Sequence, residues 1–66
     1  MRFQTDVFHL DTEDFAADLR QWESKKAAIL ACVAHAGEPL TWHEPWSGTW
    51  NARSQVYWYR ITRNFD

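Results

Sequence analysis

Cysteine occurs once in this 66-residue chain, at Cys32, so no internal disulfide can form, and the bridge-dense architecture of small secreted domains is excluded. Glycine and proline occur only twice each (Gly37, Gly48, Pro39, Pro45), which leaves no flexible linker, no low-complexity tract and no internal repeat. No apolar run approaches the roughly 20 residues that a membrane helix needs, and Met1-Arg2-Phe3-Gln4-Thr5-Asp6 has no signal-peptide h-region. These absences point to one compact domain in the cytoplasm, with no membrane partner. Aromatic residues, by contrast, are abundant at 17%, and hydrophobic residues reach 45%, well above the content of disordered chains. A domain this short buries only about 60% of the surface its unfolded chain exposes, which leaves little room for a deep catalytic cleft.

Charge is unevenly placed. Residues 1–24 carry six carboxylates (Asp6, Asp11, Glu13, Asp14, Asp18, Glu23) against Arg2 and Arg20. The remainder carries five cations (Lys25, Lys26, Arg53, Arg60, Arg63) against Glu38, Glu44 and Asp66. An acidic end is thereby joined to a mildly basic one, and such polarity offers a surface to a partner of opposite sign.

Residues 2–9 alternate in the period-2 manner of a strand, with Phe3, Thr5, Val7 and His9 on one side and Gln4, Asp6 and Phe8 on the other. Asp11 then reads as a helix N-cap, with Asp14 three residues on and Leu10 and Phe15 placed as a hydrophobic staple. Phe15, Leu19, Trp22, Ile29, Leu30 and Val33 recur at three- and four-residue steps, and Gly37 followed by Pro39 supplies a stop. The pattern predicts a helix of about 24 residues, roughly 36 Å long. Lys26 falls in its apolar stripe, with its stem packing at the core edge near Trp22. Residues 40–44 and 55–63 are rich in β-branched and aromatic types and read as strands, with turn chemistry at Ser47-Gly48 and Asn51 between them. The expected fold is α+β: a βαββ unit in which one long helix packs on a three-stranded sheet of order 1-3-2, the third strand antiparallel to both neighbours. In the last strand Tyr57, Tyr59 and Ile61 share one face, and Val56, Trp58, Arg60 and Thr62 the other, so one of two apolar faces is left for exposure or a partner. Whether Trp42, Trp46 and Trp50 belong to core or interface is open at this level.

Cys32 and His35 form one loose pair where a structural zinc site wants four ligands, so no metal or other cofactor is expected. No motif supplies a nucleophile with its base and oxyanion donors, so no catalytic residue is assigned and a non-enzymatic role is expected. Two binding readings remain. In the first, Asp11, Glu13, Asp14, Asp18 and Glu23 form an acidic helix surface that engages a basic protein groove, in the manner of a DNA mimic. In the second, Tyr57, Tyr59, Arg60 and Arg63 form a strand that stacks bases and contacts phosphates of single-stranded nucleic acid. The net charge of −2 and pI near 5.8 weigh against direct nucleic-acid binding. A third reading is an accessory subunit docking through its aromatic face.

A short, acidic, aromatic-rich single domain with one free cysteine and no catalytic motif resembles the small phage-encoded anti-CRISPR proteins. The resemblance is one of type, across the whole chain, and transfers no functional residue. It implies a stoichiometric inhibitor, acting in the cytoplasm of a bacterial host, that occludes a CRISPR effector or nuclease by binding it; the chain itself is expected to be a monomer.

Overall fold

The computed structural model describes residues 1–64. It contains strands β1 (Arg2–His9) and β2 (Phe15–Trp22), helix α1 (Lys25–Ala36), and strands β3 (His43–Trp46), β4 (Thr49–Arg53) and β5 (Tyr57–Asn64). All strands join one antiparallel sheet in the order β2-β1-β5-β4-β3. This corrects the expected βαββ fold with its three-stranded sheet and long helix. Residues 15–22 are a strand, and the helix is half the expected length.

The residues read as a helix start instead close the β1–β2 hairpin. The Glu13 amide donates to the His9 carbonyl (2.7 Å) and the His9 amide to that of Asp14 (2.8 Å), with Glu13 left-handed at φ 62°. Asp11 Oδ1 accepts from the Thr12 amide, and Thr12 Oγ1 from the Asp14 amide. Asp and Thr side chains that cap helices satisfy turn amides equally well, which is why the signal misleads. The true N-cap is Ser24, in extended conformation, whose Oγ accepts from the Ala27 amide (3.1 Å). At the other end Gly37, at φ 73°, closes the helix as the sequence indicates, its amide donating to the Val33 carbonyl.

The core lies between α1 and one sheet face. Phe3, Thr5 and Val7 of β1 pair with Arg63, Ile61 and Tyr59 of β5, and Ile61 and Tyr59 pair in turn with Trp50 and Ala52 of β4. Apart from Arg63, all of these are buried. The helix adds Ala28 and Cys32, one turn apart and fully buried, and such small side chains let its backbone approach the sheet closely. The thiol of Cys32 is pushed up to about 12 by burial, with the Asp6 charge adding to the effect. His35 in the last turn anchors the helix to the sheet through a 2.9 Å hydrogen bond between its Nδ1 and the Tyr59 hydroxyl. Lys25, not Lys26, lies over a tryptophan, with Nζ 4.8 Å from the Trp50 ring centroid. Of the three tryptophans left open by the sequence, Trp50 is core, Trp42 packs half-buried against it and Trp46 is exposed.

Both edge strands are irregular. β3 has four residues, one of them Pro45, and its pairing with β4 shifts register. In β2 the register shifts twice, and Arg20 adopts φ 75°. Irregular edges resist strand addition by other chains.

Candidate binding face

The helix covers one face of the sheet, and the opposite face presents three cross-strand rows. The first joins Phe15, Phe8, Trp58 and Arg53 across β2, β1, β5 and β4. Phe8 stands at its centre, its ring 5.9 Å from Phe15 in an edge-on arrangement and 5.1 Å from Trp58 at 53°. Phe15 is 59% exposed, and Phe8 and Trp58 are half-buried. The second row joins Asp18, Asp6, Arg60, Asn51 and His43, and the third joins Gln21, Gln4, Thr62 and Thr49.

The polar row contains an arrangement that needs explanation, since Asp6 and Asp18 are like charges directly opposite one another. Three donors offset the repulsion. Gln4 Nε2 bridges both carboxylates, at 3.1 Å to Asp6 and 2.8 Å to Asp18. Arg60 Nη2 lies 3.3 Å from Asp6 Oδ2, with its guanidinium 5.0 Å from the Phe8 ring. The Arg20 amide donates to Asp18 at 2.7 Å, and this bond, together with that from Gln4, holds the Asp18 carboxyl below the usual carboxylate range.

The acidic residues singled out in the sequence do not form a helix surface. The first turn of α1 holds no acid. Asp11, Glu13 and Asp14 sit together, exposed, at the β1–β2 turn beside Phe15. Asp18 lies on the uncovered sheet face, and Glu23 lies beyond the opposite end of β2. The aromatic and arginine strand is likewise divided. Tyr59 is fully buried beneath the helix and Tyr57 is half-buried against His35 and His9, whereas Arg60 projects on the opposite face. Arg63 lies on the Tyr59 side, 5.9 Å from the Trp50 ring. Phe8, Phe15 and Trp58 carry the exposed face instead. Alternation in β5 places Trp58 with Arg60, but only the register of β1 against both neighbours brings the two phenylalanines beside it.

At one end of this face a groove of about 580 Å³ opens between the hairpin turn and the β3–β4 region. Trp58, Arg53, Asn51, His43 and Glu13 line it. Arg53 is exposed and forms no ion pair among the described residues. No group of three or more His, Cys, Asp or Glu that could hold a metal occurs among the described residues, and no helix there is long and apolar enough to cross a membrane. No protein family, curated protein or solved structure matches the chain.

Proposed function

We propose that this chain is a non-enzymatic binding protein that docks on a protein partner through the uncovered sheet face, with the adjoining acidic hairpin orienting it on a basic surface. The observation that carries this reading is the contiguous Phe15–Phe8–Trp58 row on the face opposite the helix. A contiguous apolar patch with a polar surround marks an interaction site, and aromatic residues with arginine supply most binding hot spots. Asp11, Glu13 and Asp14, exposed beside Phe15, give the partner its sign. Basic surfaces of that kind belong to complexes that handle nucleic acid, and an inhibitor that occludes a CRISPR effector or nuclease uses such a surface without turnover. The overall charge of −2 favours a protein partner over the nucleic acid itself.

The test is a pull-down from nuclease-treated bacterial lysate with three baits: the native chain, Phe15→Ala, and Asp11→Lys with Asp14→Lys. The expected result is a nucleic-acid-handling protein retained by the native bait, reduced with Phe15→Ala and lost with the charge reversal. Equal recovery on all three baits, or recovery that vanishes on nuclease treatment, overturns the reading.

A further inference from the structure

The groove at the end of the open face has a chemistry of its own. Its Trp58 indole is half-buried and already braced on one side by Phe8, at 5.1 Å, so the ring is held in place before any ligand arrives. Arg53 is the direct cross-strand neighbour of Trp58 and lines the same groove, and it has no carboxylate partner among the described residues. Arg60 differs: it stands on the same face but is neutralised by Asp6. His43 and Asn51, paired across β3 and β4, add hydrogen-bonding groups to the same wall, and Glu13 faces them from the hairpin turn. A volume of about 580 Å³ falls in the range of small-ligand sites, which span roughly 300–1,000 Å³.

A rigid indole selects a flat π-system, and a guanidinium without a counter-charge beside it selects an anion attached to that system. We propose that this groove binds a nucleotide, with the base stacked on Trp58, the phosphate held by Arg53, and His43, Asn51 and Glu13 around the base and sugar. A free mononucleotide and a single nucleotide within a strand present the same chemistry. The hairpin turn that brings Glu13 to the groove also carries Asp11 and Asp14, both exposed, and their charge repels phosphates beyond the first, which favours the free form. This proposal does not rest on the protein partner proposed above.

The test is titration of the ¹⁵N-labelled full chain with AMP, ribose 5-phosphate and an eight-nucleotide single strand, read by amide and indole chemical shifts. AMP is expected to shift Trp58 and its neighbours saturably, and ribose 5-phosphate to bind at least tenfold more weakly. Arg53→Gln, an exposed change that leaves the fold intact, should weaken AMP at least tenfold, and Trp58→Phe should retain more binding than Trp58→Leu. Asp11→Lys with Asp14→Lys should leave AMP binding in place or strengthen it, which separates this site from the docking surface. A strand that binds no more tightly than AMP supports the free nucleotide as ligand. Affinity raised tenfold or more in the strand supports the same groove reading one nucleotide of a chain. Absence of saturable shifts at millimolar AMP, or shifts unchanged by Arg53→Gln, overturns the proposal.

Discussion

The two faces of the sheet are built from the same strands and differ by a single step in register, yet they carry different chemistry. On the helix side every central position is apolar or has its hydroxyl bonded: Val7, Ile61 and Ala52 are closed off, Thr5 Oγ1 donates to the Arg20 carbonyl at 2.7 Å, and the Tyr59 hydroxyl meets His35. On the other side large aromatic rings alternate with charges that neutralise one another only in part. A 66-residue chain has few ways to bury surface, and stability sets the first face. Stability does not require Phe15 at 59% exposure, and that residue type at that position is where the functional reading starts.

The sharpest way to separate the faces is to truncate one residue on each. Ile61→Ala, in the centre of the covered face, should cost about 3 kcal/mol, enough to unfold a large share of so small a domain. Phe15→Ala should cost under about 1 kcal/mol, the loss of one edge-on ring contact, while weakening partner capture. Urea titration followed by circular dichroism checks both. Comparable losses at the two positions would mean that the open face is structural.

A second prediction probes the covered face by pH. The Cys32 thiol is raised to about 12 by burial, and the Tyr59 hydroxyl is raised for the same first reason. Both groups are neutral when protonated, so the folded state holds those protons more tightly than the unfolded chain does. Their contribution is complete below the ordinary thiol value near 9 and is lost as pH rises towards about 12. Denaturant stability measured from pH 8 to 11 should therefore fall, and Cys32→Ala should flatten the decline. The native thiol should also resist thiol-specific reagents until the chain unfolds. A flat profile in the native chain would show that the helix does not seal this face.

Much of this design is legible in the sequence. Alternation in residues 2–9 and the β-rich run 55–63 point to the two central strands, Ser47-Gly48 marks a turn and Gly37 ends the helix, whereas Asn51, read as a turn residue, lies inside β4. What misleads is β2. Its open-face residues Phe15, Asp18 and Gln21 pair with Phe8, Asp6 and Gln4, so three residues of β2 advance for every two of β1. The apolar steps that read as a helix stripe, Phe15, Leu19 and Trp22, straddle the sheet instead, Phe15 pairing with Phe8 on the open side and Trp22 with Phe3 on the helix side, because the two bulges break strict alternation between them. Ala16, Ala17, Leu19 and Gln21 add helix propensity to the disguise. Ser24 carries the opposite signal, being a good N-cap type and a poor residue for the middle of a helix. The exposed face was legible only in part, because Trp58 and Arg60 share a side by alternation within β5, whereas Phe8, Phe15 and Arg53 arrive through pairings between distant segments.

The smallest predicted effect tests the bulge that made this possible. Arg20 holds φ 75°, a conformation costing an L-residue about 1 kcal/mol, and it does so because that geometry brings its carbonyl to Thr5 and its amide to Asp18. Both bonds use backbone atoms, so glycine keeps them and removes the strain. Arg20→Gly should therefore raise stability by about 0.5 kcal/mol, the relief being partly offset by the greater entropy of glycine in the unfolded chain. Removing the strain should leave the open-face rows in register, so partner capture should be unchanged. A destabilised variant would instead indicate that the Arg20 side chain itself holds the edge strand in place, and the contrast between the two faces would then extend to a residue that the backbone alone does not explain.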